Sequence, residues 1–261
     1  MKVYYAFLKA TAKSILSSKS SAWILLLQAT IPTVVMGYLW TNVLANGRTI
    51  SGMNSVDMIH YYVGVNVVNF FVWYAVDWEL NDDIHSGKLA NIIRKPINMM
   101  LYYISKMVGD RLANILVILP ILLLLLLANW KSINFNTGLV KNVLVIIVSA
   151  LLWFFFSYSV GCLAYWFENL FFVLLVKEIV VSFLSGYYLP ISTFPFVAKE
   201  LLKYLPFQYF NYFPVQIVLG NKTGVSWEQG LLTELIWCFI FLLFSEYVNR
   251  KGLRHYSDVL G

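Results

Sequence analysis

Charged residues are scarce in this 261-residue chain: Asp, Glu, Lys and Arg together make up 12% of it, whereas soluble domains contain about 25%. Apolar residues make up 60%, and a soluble fold of this size has no means of removing so much apolar surface from water. Lipid can solvate that surface instead. The composition therefore excludes a soluble enzyme, a secreted disulfide scaffold and a disordered chain.

Cysteine is almost absent as well, since Cys162 and Cys238 are the only two. Both lie in apolar runs, so we interpret them as small buried hydrophobic residues rather than a disulfide pair. The three histidines show no metal-ligand spacing such as H-E-x-x-H, and the sequence has no G-x-x-x-x-G-K-[ST] phosphate loop. We therefore predict no metal site, no catalytic residues, no cofactor bound by this chain and no nucleic-acid partner.

Long apolar runs are what the chain has instead. A bilayer core of about 30 Å requires roughly 20 apolar residues in a helix, and the short alternating segments of a barrel are missing. We predict an all-α polytopic membrane protein with one transmembrane domain over 1–261. Its six predicted transmembrane helices are 22–45, 58–76, 108–129, 142–167, 170–192 and 230–248.

The distribution of Lys and Arg predicts the orientation, because cytoplasmic segments of membrane proteins are enriched in them. With six spans, twelve basic residues fall on the side of both termini and six on the other, so we expect cytoplasmic termini. Residues 1–21 separate apolar side chains from lysines on opposite faces of a helix, which predicts an interfacial amphipathic helix. The alternative is an ordinary basic N-terminus.

The longest hydrophilic stretch is 77–107, although a connection between two helices usually needs only about 2–8 residues. Acidic side chains precede Gly87 and basic side chains follow it. This pattern is compatible with a docking element for a cytosolic partner and equally with a solvated loop that binds nothing.

Four of the seven prolines lie between 190 and 214, in a segment that is dense in Tyr and Phe. A backbone interrupted so often does not cross lipid as one helix, because the freed polar groups need partners. We predict that the extracellular segment 186–228 is re-entrant and contains a pair of short helices in the outer leaflet. The alternative is an extracellular loop with an aromatic belt at the interface.

Polar side chains recur along the second predicted span, where helical spacing places them on one face. We favour contact between helices or between subunits over contact with a substrate. The residues on this face are Tyr62, Asn66, Asn69, Trp73 and Asp77.

Lys177 and Glu178 lie inside the fifth predicted span, where charge is costly and usually faces protein or water. Neighbouring residues of a helix point about 100° apart, so we expect these two not to pair with each other. One candidate partner is a charge in another span or another chain. The alternative is that Lys177 extends back to the cytoplasmic headgroups.

Two parts of the sequence resemble the permeases of type-2 ATP-binding-cassette (ABC) exporters. The string "DDIHSGKLANIIRKPIN" is similar to their cytoplasmic pattern D-I-x-x-G-x-L-x-x-x-L-x-x-P, with His85 and Asn91 where Arg and Asp are common. The strings "SGYYLPISTFP" and "LPFQYFNYFPVQIVLG" are similar to their outward pattern G-x-x-x-P-x-x-x-x-P … L-P-F-x-x-x-x-x-P-x-x-x-x-x-G.

The resemblance implies the permease subunit of an ABC exporter in a bacterial plasma (inner) membrane. It would form the path as a homodimer or heterodimer with a related permease and be driven by separate cytosolic ATPase subunits, which carry ATP and magnesium. The alternatives are a non-transporting assembly or immunity subunit and an intramembrane enzyme. The resemblance further implies two sets of functional residues. The predicted ATPase-coupling residues are Asp83, Ile84, Gly87, Lys88, Leu89, Arg94 and Pro96. The predicted extracellular gate residues are Gly186, Pro190, Pro195, Pro206, Phe207 and Pro214. The polar face of the second span and the charges inside the fifth span, rather than the resemblance, predict the path or dimer-interface residues Asn66, Asn69, Lys177 and Glu178.

Overall fold

The computed structural model describes residues 2–17, 19–128, 138–220 and 225–260, and within these ranges it contains helices and no β-strand. The prediction of an all-α protein is therefore confirmed. Residue 129 of the third predicted span and residues 221–224 of the predicted extracellular segment lie outside the described residues. The α-helices of the described ranges are α1 (Lys2–Ser17), α2 (Lys19–Val43), α3 (Ser55–Val72), α4 (Val76–His85), α5 (Lys88–Ile93), α6 (Met99–Ala128), α7 (Leu139–Gly161), α8 (Phe171–Leu184), α9 (Phe196–Tyr204), α10 (Tyr212–Leu219) and α11 (Trp227–Leu260).

Two described helical segments, Val140–Tyr165 and Trp227–Tyr256, are long and apolar enough to cross a membrane. A third span results if α3 and α4, which are bent by 40° at a short break, are counted together. Helix α8 has 14 residues, or about 21 Å at 1.5 Å per residue. It ends at Leu184 rather than near 192 because the chain turns at Gly186, where φ is +85°. The number of six spans stays a prediction.

The chain divides into two compact units, of which the first comprises 1–32 and 91–139. In this unit α1 lies along α6, and Gly109 of α6 allows the contact because a Cβ there would collide with the backbone of Leu8. The Phe7 ring meets the Tyr102 ring edge-on at 4.8 Å, and the Asn98 amide donates to the Tyr4 hydroxyl at 2.9 Å. Of the predicted N-terminal helix 1–21, residues 2–17 are confirmed as α1, residues 19–21 belong to α2, and residues 1 and 18 lie outside the described residues. The position of α1 at a membrane surface stays a prediction.

The second unit comprises 33–90 and 140–261, and its core is rich in aromatic side chains. Helix α3 packs against α10, where Gly64 leaves room for the Val215 side chain. On α7, the Trp153 ring meets Phe210 edge-on at 5.2 Å. Helix α11 joins α7 through Asn249, whose Oδ1 accepts hydrogen bonds from the Tyr158 and Tyr165 hydroxyls at 3.0 and 3.2 Å. These contacts fix the helices on which the candidate site residues lie.

The break between α3 and α4 contradicts the prediction of one continuous polar face from Tyr62 to Asp77. Helix α3 ends at Val72, and residues 73–75 are not helical. Helical spacing therefore holds as far as Asn69, while Trp73 lies in the break and Asp77 belongs to α4. Much of the hydrophilic stretch 77–107 is helical as well, because it includes most of α4, all of α5 and the start of α6.

The close approach of α1 to α6 predicts that Gly109→Ala lowers the thermal unfolding midpoint of the purified protein. The added methyl group meets the Leu8 backbone, and overpacking of this kind costs about 1–3 kcal/mol. The matched control is Gly37→Ala in α2, where the new Cβ meets only the Ile59 side chain at 3.9 Å. Equal midpoints for the two variants would contradict the close packing of α1 on α6.

Candidate functional site

The predicted coupling segment begins where α4 ends. The Ser86 amide donates to the Asp82 carbonyl at 2.9 Å, and the Gly87 amide donates to the Ile84 carbonyl at 3.2 Å. Gly87 then takes a left-handed conformation with φ +72°, which glycine adopts at helix ends without the steric penalty of a Cβ. A Cβ at Gly87 would meet no atom within 4 Å. The requirement for glycine at this turn is therefore conformational rather than spatial.

The predicted coupling residues differ in exposure. Asp83, Ile84 and Leu89 are buried within the chain. Gly87, Lys88, Arg94 and Pro96 are exposed. The first group is covered by the rest of the chain, whereas the second is accessible to another molecule. Their role in coupling stays a prediction.

The predicted outward gate begins at Gly186, directly after α8. Its carbonyl accepts a hydrogen bond from the Tyr61 hydroxyl at 2.5 Å, and the Tyr188 carbonyl accepts one from the Tyr62 hydroxyl at 2.5 Å. A Cβ at Gly186 would lie 3.0 Å from both the Tyr61 oxygen and the Tyr212 Cβ. Two neighbouring tyrosines of α3 thus bind the turn that leads out of α8.

Prolines mark the starts of the short helices in this segment, where a helix needs no amide donor. Pro190 precedes the 3-10 turn Ile191–Thr193, Pro195 precedes α9, and Pro206 precedes the 3-10 turn that starts with Phe207. Pro214 is the third residue of α10. The predicted pair of short helices is confirmed as α9 and α10. Their re-entrant position in an outer leaflet stays a prediction.

Lys177 of α8 lies in a buried cluster of charges. Its Nζ is 2.7 Å from Oδ2 of Asp77 and 3.1 Å from Oε2 of Glu178. The Lys177 and Asp77 side chains are 6% and 1% exposed, and that of Glu178 is 32% exposed. A partner on another helix is therefore confirmed. The expectation that Lys177 and Glu178 do not pair is wrong, because the flexible lysine stem bridges the angle between their Cβ directions.

Aromatic side chains surround this cluster. The Lys177 ammonium lies 4.8 Å from the centre of the Trp153 ring, a cation–π contact. The Trp153 indole N–H donates to the Tyr74 carbonyl at 3.0 Å, and the Trp73 indole N–H donates to Oε1 of Glu178 at 2.7 Å. Both bonds involve residues of the α3–α4 break. The break is consequently fixed to α7 and to α8.

A glycine on α7 brings the start of α4 close to this cluster. A Cβ at Gly161 would lie 2.7 Å from the Cα of Asp77, so only glycine permits this approach. Asp77 also has a second carboxylate oxygen, Oδ1, which is buried and makes no hydrogen bond within the described residues. Lys177 is therefore the side chain that compensates the charge of Asp77.

The asparagines of α3 have structural contacts. Asn66 Nδ2 donates to the Thr33 hydroxyl of α2 and to the Tyr62 carbonyl, both at 2.8 Å. Asn69 is partly buried, and its carbonyl accepts the Trp73 amide. The interpretation of Asn66 as a link between helices agrees with these bonds. The path or dimer role predicted for Asn66, Asn69, Lys177 and Glu178 stays a prediction.

Sequence reasoning missed another buried carboxylate, Glu234 of α11. It is fully buried and accepts a hydrogen bond from the Ser149 hydroxyl of α7. Its position near the start of an apolar run suggested the boundary of a span, and nothing nearby in sequence indicates Ser149. Within the described residues, no group of three or more His, Cys, Asp or Glu side chains is placed to hold a metal ion.

Comparison with known proteins assigns a family to nearly the whole chain. Residues 21–258 match the family model described as ABC-2 family transporter protein. This range contains the coupling turn, the charge cluster and the outward segment. No curated protein matches the chain at a significant level.

The bond between Tyr61 and Gly186 predicts that Tyr61→Phe destabilises the protein. The variant leaves a buried carbonyl without its donor, which costs about 1–3 kcal/mol. The thermal unfolding midpoint should therefore fall. Tyr204→Phe is the matched control, because Tyr204 is 75% exposed and its midpoint should be that of the parent. A Tyr61→Phe protein as stable as the control would show that the turn does not depend on this bond.

Proposed function

Because this chain belongs to the ABC-2 family of transporter proteins, we propose that it forms the path of an ABC exporter together with a second permease. Family membership makes the chain a membrane permease and implies association with ABC ATPase components. The match over 21–258 carries the proposal, and the sequence has no phosphate loop of its own. ATP and magnesium would therefore be bound by separate cytosolic ATPase subunits, and this chain would perform no covalent chemistry.

The exposed part of the coupling segment is the surface proposed to meet the ATPase. Lys88 and Arg94 present positive charge, and Pro96 restricts the backbone beside them. Asp83 and Leu89 are buried. Movement of the exposed side chains would therefore be passed to the rest of the chain through these buried neighbours. Gly87 provides the turn between α4 and α5.

The segment after α8 is proposed to close the outward end of the path. Its turn at Gly186 is held by Tyr61 and Tyr62 of α3, and α10 packs on the same helix. Movement of α3 would therefore displace the whole segment. The proposed topology has six spans, cytoplasmic termini, an interfacial α1 and an extracellular 186–228, within a bacterial plasma (inner) membrane.

The second permease is proposed to be either another copy of this chain or a related chain. Polar side chains of a path or of a contact between subunits would come from Asn66, Asn69, Lys177 and Glu178, all of which lie on α3 or α8. Many apolar side chains of α8 are exposed, among them Phe172, Val176 and Phe183. Such a surface requires lipid or another subunit to cover it.

Affinity purification of this chain from its native membrane tests the proposed function. We expect an ATPase subunit with a G-x-x-x-x-G-K-[ST] loop to be recovered with it. The double variant Lys88→Glu, Arg94→Glu should insert into the membrane and lose the ATPase, because charge reversal opposes the proposed contact. Arg48→Glu, which alters an exposed arginine outside the segment, is the control. Recovery of no such ATPase with the parent chain would refute the proposal.

Gly87→Pro is expected to abolish stimulation of ATP hydrolysis while membrane insertion is retained. Proline requires φ near −65°, whereas Gly87 has φ +72°, so the turn between α4 and α5 is lost. Gly87→Asn is the matched control, because asparagine tolerates the left-handed region; it should retain most of the stimulation. Unchanged ATP hydrolysis in Gly87→Pro would contradict the coupling role.

A further inference from the structure

The Asp77–Lys177 pair joins the two helices that lead to the proposed coupling segment and to the proposed outward segment. Asp77 lies on α4, which ends at His85 and continues into the Gly87 turn. Lys177 lies on α8, which ends at Leu184 and continues into Gly186. Each charge is about 10–12 Å along its helix from that end, at 1.5 Å per residue. A force applied at either end therefore reaches the pair through no more than about two to three helical turns.

The geometry of the break provides a pivot beside this pair. Trp73 lies between α3 and α4 and is attached to α8 through its indole bond to Glu178. Tyr74 is attached to α7 through Trp153. Asp77 is the second residue of α4, four positions after Trp73 in the chain. Rotation of α4 about the fixed break would therefore change the distance from Asp77 to Lys177 while the break itself stays in place.

Lys177 has a second carboxylate within reach. Its ammonium can therefore exchange one carboxylate partner for the other. Glu178 Oε2 is 3.1 Å from its ammonium, on the same helix as Lys177 itself. A buried cation that loses its only counter-ion is strongly destabilising. If α4 withdraws Asp77, Lys177 remains paired with Glu178 and next to the Trp153 ring. The cation is thus compensated in both arrangements.

We propose that Lys177 is an exchangeable link that transmits movement between the coupling turn and the outward segment. Bound to Asp77, it ties α4 to α8. Bound to Glu178 alone, it releases α4 and lets the two helices move separately. This inference rests on the proposed function. It replaces the proposed path or subunit contact of Lys177 and Glu178 with positioning roles, which Asp77 shares.

Cysteine labelling of the outward segment tests the link in the complex purified with its ATPase and returned to lipid. Ser192→Cys introduces a partly buried thiol beside Met53. Its reaction rate with a charged maleimide is compared in ADP and in ATP with vanadate. The chain that keeps Ser192 gives the background from the native cysteines. We expect a nucleotide-dependent rate in the parent, because ATPase movement reaches the outward segment.

The two carboxylates should have opposite effects on that rate. Asp77→Asn removes the tie between helices, so ATP hydrolysis should continue while the nucleotide dependence of labelling is lost. Glu178→Gln removes the alternative partner, so Lys177 should stay paired with Asp77. The rate of ATP hydrolysis should then fall, and the labelling rate in ATP with vanadate should equal the rate in ADP. Either single variant leaves Lys177 one carboxylate, which preserves folding. Glu246→Gln is the matched control, because Glu246 is 30% exposed and paired with Arg250.

The outcomes separate the link from the proposed function. Nucleotide-dependent labelling that persists in Asp77→Asn would overturn the link, and so would parental hydrolysis in Glu178→Gln. If Asp77→Asn does not fold, the double variant Asp77→Asn, Lys177→Gln removes both charges, and it should likewise lose nucleotide dependence. A parent chain that recovers no ATPase would instead refute the proposed function. If the pair were merely structural, both single variants would change the unfolding midpoint. The rate of ATP hydrolysis and the nucleotide dependence of labelling would then not change independently of each other.

Discussion

A bilayer interior contains no water to satisfy polar groups, so each one must find its partner within the protein. This constraint explains why the interruptions of the helices are so strictly organised. The prolines of the segment after α8 occur at or near helix starts, where no amide donor is needed. In the turn that follows α8, tyrosine hydroxyls of α3 donate to the carbonyls of Gly186 and Tyr188. At this turn and at the α3–α4 break, side chains from another helix thus donate hydrogen bonds to backbone carbonyls outside the helices.

The same constraint applies to charge, and it gives the cluster around Lys177 its form. A single buried lysine would be costly, but here it has two carboxylates and the face of an indole ring. Glu234 is also buried, with a serine hydroxyl as its donor. Polar groups of this kind bind chosen helices to each other, whereas apolar contacts leave their relative rotation less specified. In the second unit they connect α8 with α4 and with α7, and they connect α7 with α11.

The sequence predicts helices well because composition and proline positions act locally. The all-α class, the N-terminal helix and the pair α9 and α10 follow from such signals. The break after Val72 could not be predicted, because residues 73–75 contain neither proline nor glycine and are held by bonds to the distant Trp153 and Glu178. Asp77 was assigned to the wrong helical face for this reason. Its pairing with Lys177, 100 positions away, has no local signature.

The bonds from Tyr61 and Tyr62 have a consequence for biosynthesis. Each joins residues 125 or 126 positions apart, and a ribosome adds roughly 5–20 residues per second. Between about 6 and 25 seconds therefore pass after α3 is made before its hydroxyls can meet Gly186 and Tyr188. During this interval two tyrosines of a nascent membrane helix must use temporary acceptors. Completion of α3 packing is consequently a late event, which waits for the second half of the chain.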